Sequence, residues 1–278
     1  MHAKKILLPM VLFAGVLLSV RAVCSNRDAL RRIVQEECEV HWLQQHSASP
    51  CERVGSGYAV LADRKGGAHF LLIPLRTIAG IESPEVLEPG APNYFAAAWQ
   101  ARDRVAAVVG HDVPRSAVGL ALNPKHARSQ DQLHIHIECL RADAADSLQA
   151  AAARLTGAWS SIEVAGSHFD ALRVMGEDLG ASNPFRLLAD RLPDAKGRLE
   201  DYTLIVAGMQ FKEGPGFAVL AGTGLPGELL LDSSCAVARS ADTAAPRASD
   251  AYGAGGYRRE QRGVNGHIAL RTRVVEIQ

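Results

Sequence analysis

Residues 118–140 read VGLALNPKHARSQDQLHIHIECL, and the two ends of this stretch decide the fold class. Val118 to Leu122 is a short apolar run bounded by turn residues, which suits a buried strand. Leu133 to Leu140 alternates: Leu133, Ile135 and Ile137 fall on one side, and Gln132, His134 and His136 on the other. A period of two belongs to a strand with one face packed on a core. Two such runs joined by a polar, proline-bearing loop predict neighbouring antiparallel strands.

The same pattern continues outward. Gly57 to Ala62 and His69 to Pro74 read as strands around a Gly66-Gly67 turn, giving a hairpin. A proline-broken loop from Thr77 to Pro92 precedes Asn93, which caps a helix through Phe95, Trp99, Arg102 and Val105 that stops at Gly110. Ser25 or Asn26 caps an earlier helix carrying Leu30, Ile33 and Val34, and Asp143 opens a later one that ends at Gly157. After the first helix the order is thus β-β-α-β-β-α, an α+β layout with an antiparallel sheet. Further on, Asn183-Pro184-Phe185 starts a helix with Leu187, Leu188 and Leu192. Tyr202 to Ala207 and Phe217 to Ala221 form a second hairpin around Lys212 to Gly216. It echoes the first and suggests a degenerate two-repeat arrangement.

The chain has 278 residues, 47% of them hydrophobic, and its 30 Lys and Arg balance 30 Asp and Glu. A neutral balance with no basic stripe argues against a nucleic-acid partner. Lys4 and Lys5 precede an apolar run from Ile6 to Val20, which Arg21 interrupts. The run is short of the roughly 20 residues that span a bilayer and matches the core of a signal peptide. Residues 1–24 therefore read as a cleaved leader or an uncleaved anchor, with a lipidated Cys24 as a third option. Each reading sends the remaining chain out of the cytoplasm. Residues 25–237 form the folded domain. Residues 238–278, rich in Ala, Arg, Ser, Asp and Gly, read as a disordered low-complexity tail. Beyond Cys24 there are four cysteines, which allow three pairings. The favoured one joins Cys38 to Cys51 across a polar loop, and Cys139 in the histidine strand to Cys235.

The chemistry centres on His134 and His136. Burying a row of Gln132, His134 and His136 for structure alone demands a hydrogen-bond partner for every polar atom. A metal would need a third ligand, and no spacing selects one among Glu138, His126 and His168. We therefore expect no metal and no other cofactor. Chemistry on a phosphate explains more. A neutral imidazole can attack phosphorus to give a phosphoramidate that water later cleaves. A second donor on the same face can hold the phosphoryl oxygens.

Gln132-Leu133-His134-Ile135-His136-Ile137 resembles the His-φ-His-φ-His-φ motif of the histidine triad superfamily, with Gln in the first position. Several further segments carry the resemblance to one bacterial branch: Leu30 to Cys38, Ser49-Pro50-Cys51, Glu82-Ser83-Pro84, Trp99 to Asp103, Ser129-Gln130, His134 to Cys139 and Pro193-Asp194-Ala195. From about Ala29 to Cys235 the chain is similar to CDP-diacylglycerol pyrophosphatases.

The resemblance implies hydrolysis of CDP-diacylglycerol to CMP and phosphatidate, with His134 as nucleophile and His136 on the phosphate. It implies a nucleotide site lined by Asn123, Ser129 and Gln130, with Arg76 near it. It also implies a membrane lipid surface as partner, with the catalytic domain in the periplasm at the inner membrane. Gln132 can hydrogen-bond but cannot titrate, which leaves a non-catalytic nucleotide- or lipid-binding protein as the alternative.

Overall fold

The computed structural model describes residues 26–239. The leader expectation for 1–24 and the tail expectation for 238–278 lie outside the described residues except at 238–239, where Ala238 is buried in the main core and so belongs to the folded domain, not to a disordered tail. Among the described residues no helix is long and apolar enough to cross a membrane.

The fold is α+β. Among the described residues ten strands form one sheet in the order β1-β2-β3-β5-β4-β8-β9-β7-β6, with the two-residue β10 pairing β5. The strands are β1 (Arg53–Gly55), β2 (Tyr58–Ala62), β3 (Phe70–Pro74), β4 (Val118–Leu122), β5 (Ile135–Leu140), β6 (Ser160–Val164), β7 (Ser167–Met175), β8 (Tyr202–Phe211), β9 (Gly214–Thr223) and β10 (Leu231–Asp232). Every pairing is antiparallel. Both expected hairpins form. Gly66 and Gly67 turn the first with φ of 75° and 72°, values open to glycine at no steric cost. The short β1 and the β6–β7 hairpin were not legible as strands.

The alternation along β5 sorts its side chains. Leu133, Ile135, Ile137 and Cys139 join Tyr94, Phe95, Ala98 and Trp99 in the main core, so the helix after Asn93 covers this face, as the pattern predicts. Asn93 caps it by accepting a hydrogen bond from Ala96 N at 3.1 Å. The expected single helix is two, Tyr94–Gln100 and Asp103–Val109. Gly110 ends the second with φ of 87°.

The opposite face of the sheet carries two smaller cores. One packs the N-terminal helix on β1 to β3 through Leu30, Val34, Cys38, Val54, Leu71 and Ile73. The other packs the Ala142–Ala151 helix on β4 and β8 through Ala144, Leu148, Ala121 and Ile205. The even-numbered residues of β5 emerge between them. That gap is where the histidines lie.

Two local expectations need correction. The N-terminal helix opens as a 3-10 turn at Asn26–Asp28, and its α-helical part starts at Ala29 behind Asp28, whose side chain makes no capping hydrogen bond. It then passes a π turn at Ile33–Cys38 and runs on to Gln45. Most of the segment between Cys38 and Cys51 is therefore helix, not polar loop. The helix beginning near Asp143 ends at Ala151, extended by a 3-10 turn to Arg154, short of Gly157.

Both expected disulfides are present, Cys38–Cys51 with Cα atoms 5.6 Å apart and Cys139–Cys235 with Cα atoms 5.0 Å apart. They close loops with sequence separations of 13 and 96. In the chain-entropy model such loops contribute about 3 and about 4.7 kcal/mol.

Candidate active site

A cavity of about 620 Å³ opens between the two smaller cores. Ala29, Leu30, Ile33, Leu61 and Leu71 give it an apolar wall, and Asp63, Lys65, Asn123, His134, His136 and Glu228 a polar one. Ser129 and Gln130 also line it. A larger groove of about 770 Å³ along Gln100 to Val113 gathers no paired imidazoles.

The imidazole row is buried, not presented on an open strand face. His134 is 6% exposed, His136 4% and Gln132 0%. The strand itself begins at Ile135, two residues later than the alternation suggests, so Gln132 and His134 lie on the approach to β5.

His134 Nδ1 lies 2.7 Å from the carbonyl oxygen of Gln132. A carbonyl only accepts, so Nδ1 carries the proton and Nε2 keeps its lone pair. Burial holds the His134 pKa below the ordinary imidazole value, against the raising effect of that carbonyl. His136 is held well below it, first by burial and then by His134 and His69. Both rings are neutral at pH 7. A neutral ring with a free nitrogen is the form that attacks phosphorus.

Gln132 does not line the cavity. Its amide donates to the carbonyls of Pro74 and Arg76, both at 2.9 Å, which ties the approach to β5 to the end of β3. Its Oε1 is buried without a hydrogen-bond partner. Arg76 needs correction as a substrate-binding residue: only its carbonyl is used here. Its guanidinium is largely exposed, 3.6 Å from Glu88, and is not part of the cavity wall. His168 is an exposed residue on β7 beside β6 and takes no part.

Asn123 grips the opposite rim. Its Oδ1 accepts from Gly227 N at 2.8 Å and its Nδ2 donates to Glu228 Oε1 at 2.7 Å. Gly227 must be glycine for this approach, because a Cβ there would lie 2.7 Å from Thr203 Oγ1 and 3.0 Å from the Ala121 Cβ. Glu228 also meets Lys65 Nζ at 3.1 Å. The Ser129–Gln130 loop is pinned from below by Arg128, which makes two 2.7 Å bonds to Glu82. Gln130 Oε1 accepts from Leu30 N at 3.0 Å, joining that loop to the N-terminal helix.

Three contributors escaped the sequence reading: His69, Glu228 and the Asp63–Lys65 turn. His69 Nε2 lies 2.9 Å from His136 Nδ1 and 3.1 Å from Glu138 Oε1. The register pairs Phe70 with Ile137 and Leu71 with His136, so His69 falls beside Glu138 by simple continuation. That signal was available in the hairpin. Nothing local marks Glu228, which arrives from a distant segment through β10 and the Cys139–Cys235 bond.

Donor atoms of His69, His136 and Glu138 lie within 4.8 Å of one another, the kind of grouping that can attract a divalent metal. The middle atom, His69 Nε2, is hydrogen-bonded to His136 Nδ1 at 2.9 Å and lies 3.1 Å from Glu138 Oε1. Burial lowers the His69 pKa. Burial, reinforced by Glu228, pushes Glu138 up to about 8. Both shifts favour the uncharged forms, so their contact at neutral pH is not a salt bridge. On its other side His136 Nε2 comes within 3.3 Å of Glu228 Oε1 but makes no hydrogen bond with it. His136 lines the cavity beside His134, and its Nε2 is a buried nitrogen without a hydrogen-bond partner.

A protein from Yersinia pestis described as CDP-diacylglycerol pyrophosphatase is 38% identical over 208 residues, covering 73% of this chain and 80% of that protein. The family model for CDP-diacylglycerol pyrophosphatase matches residues 25–239, which take in the whole cavity and both disulfides. This chain belongs to the CDP-diacylglycerol pyrophosphatase family.

Proposed function

We propose that the chain hydrolyses the pyrophosphate bond of CDP-diacylglycerol to CMP and phosphatidate, with His134 as nucleophile. One observation carries the mechanism: the Gln132 carbonyl fixes the His134 proton on Nδ1, and the Nε2 lone pair is left for the cytidylyl phosphorus. Attack forms the N–P bond and breaks the P–O bond to phosphatidate. Water then attacks the same phosphorus, releases CMP and restores the ring. His136 Nε2, which makes no hydrogen bond within the protein, holds a phosphoryl oxygen as charge moves onto it.

The likeness to the histidine triad superfamily belongs to this reading, and Gln132 fits it as a brace. The first position supplies a carbonyl for His134 and two amide donors for the β3 end, and neither task needs a titrating ring. The apolar wall of Leu30, Ile33, Leu61 and Leu71 suits an uncharged ring or glycerol backbone, and Lys65 supplies a cation for the diphosphate.

We read residues 1–24 as an export leader or anchor that brings this cavity to the inner-membrane surface on its periplasmic side. Two disulfides support an oxidising compartment. The acyl chains of the substrate stay in the bilayer, which an anchored cavity meets at the interface.

The test is direct. Purified protein is given CDP-diacylglycerol in detergent micelles and the products are identified by mass. CMP and phosphatidate are expected, with an acid-labile cytidylyl group on His134 in quenched samples. Binding of the nucleotide without turnover supports the non-catalytic alternative instead.

A further inference from the structure

The hydrolysis proposed above gives the Glu228 carboxylate no task, and its place works against an anionic substrate. Glu228 lines the same cavity as His134 and His136, with 30% of its side chain exposed. A negative charge there opposes the binding of a diphosphate.

The donors around Glu228 are those a phosphate oxygen would take. Its Oε2 accepts from Lys65 Nζ at 3.1 Å and its Oε1 from Asn123 Nδ2 at 2.7 Å. Oε1 also stands 3.3 Å from His136 Nε2, a nitrogen that makes no hydrogen bond. An ammonium, an amide N–H and a ring nitrogen thus converge on two oxygens that share one negative charge. The same set would recognise a phosphoryl group.

The backbone beneath Glu228 is fixed on both sides. Gly227 N donates to Asn123 Oδ1 at 2.8 Å, and the carbonyls of Leu229 and Leu230 accept from Arg141 at 2.7 and 2.9 Å. Leu230 is buried. The side chain can leave by rotation about its own bonds, toward the solvent it already meets. Lys65 is 70% exposed on the β2–β3 turn and can follow an incoming oxygen.

Resting on the reading of this cavity as the site of hydrolysis, we infer that the Glu228 carboxylate holds the phosphate position until the diphosphate takes it, and returns there to help expel CMP. The exchange discriminates by charge. Each phosphorus of CDP-diacylglycerol carries a single ionised oxygen, and the glycerol backbone adds apolar contacts that offset the displacement. CMP is a monoester with a charge of about −1.5 to −2 at pH 7 and no lipid to hold it. The returning carboxylate therefore repels product more than substrate, which makes Glu228 a specificity-determining residue.

The test is calorimetric binding of CMP and of cytidine to the full chain, as wild type and as Glu228→Gln. The amide keeps the side-chain length and can still accept from Asn123, so the rim stays in place. Glu228→Ala, which removes the carboxylate and leaves no group in its position, is the second variant and should show the same pattern.

Both variants should bind CMP at least about tenfold more tightly than wild type, the low side of what like-charge juxtaposition costs, while cytidine, without a phosphate, should change by less than about twofold. CMP should inhibit hydrolysis by the variants at correspondingly lower concentration. CMP binding that is unchanged or weaker in the variants overturns the inference, because Glu228 then only braces Lys65 and Asn123. A gain shared equally by CMP and cytidine overturns it too, since the carboxylate would not be acting at the phosphate. Either result leaves the reading of the cavity standing as long as His134→Ala abolishes hydrolysis of CDP-diacylglycerol. Hydrolysis that survives His134→Ala overturns that reading, and the inference with it.

Discussion

Replacing Glu138 by Gln should change not only the stability of the protein but the direction in which stability moves with pH. Burial raises the folded-state pKa of Glu138 from 4.5 to about 8. Below 4.5 the carboxyl is protonated in both folded and unfolded chains, and its contribution to stability is fully present. As pH rises from 4.5 toward 8 the unfolded chain releases the proton while the folded chain keeps it, so stability falls across that window and levels off above it. At about 1.4 kcal/mol for each factor of ten, the interval sets a ceiling on the order of 5 kcal/mol, which water entry and relaxation around Lys65 and Glu228 reduce. The assay is urea unfolding with both disulfides intact, for wild type and Glu138→Gln, at steps from pH 5 to pH 9. The difference between the two cancels groups far from the site. Near pH 5 the variant should match wild type closely, and by pH 9 it should be more stable by a few kcal/mol. A difference that stays constant across the range refutes the burial argument.

Four other outcomes follow from the site. His134→Ala should abolish turnover, whereas His136→Ala should leave a weak residue of it, because the first removes the attacking atom and the second a phosphate donor; single-turnover product release measures both. Gln132→Ala should cost about 1–3 kcal/mol in urea unfolding, since it strands the buried carbonyl of Pro74 and frees the part-buried one of Arg76. Acid should weaken the fold below about pH 6.5, because the unfolded chain takes up protons that buried His69, His134 and His136 refuse; replacing His136 by Gln should flatten that limb. Dialysis against a chelator should leave turnover unchanged if the His69–His136–Glu138 set works without a metal ion, with product formation as the readout.

The legible parts of the fold are those where one residue dictates local geometry. The glycine pair at 66–67, the asparagine caps at 93 and 183, and the alternation through His134 and His136 each put an element where it stands. Helix Glu39–Gln45 was not legible. Trp42 and Leu43 are exposed on it, so it shows no apolar stripe of its own. It is held by packing at Val34 and Cys38 and by the Cys38–Cys51 bond. The strands β6 and β7 mix exposed and buried residues, and they are positioned by β9 at the sheet edge. In the site, the motif histidines were readable and their surroundings only in part. His69 needed the β3–β5 register. Glu228 needed a disulfide partner 96 residues away and a two-residue strand, neither of which leaves a periodic trace.

The substitution of Gln at the head of the motif then has a physical account. The position performs two tasks that any backbone and any suitable donor can meet. Its carbonyl sets the His134 tautomer, whatever its side chain. Its side chain must feed two carbonyls at once, from Pro74 and Arg76. An amide nitrogen carries two protons on one atom, whereas a neutral imidazole offers a single N–H. Gln132→His should therefore lose one of these bonds, by about 1–3 kcal/mol for the stranded carbonyl, and gain no useful acid, since its ring would face the β3 end and not the cavity. Unfolding and single-turnover rates of that variant decide the matter. A faster enzyme of equal stability contradicts the assignment of Gln132 as a brace and returns proton transfer to the head of the motif.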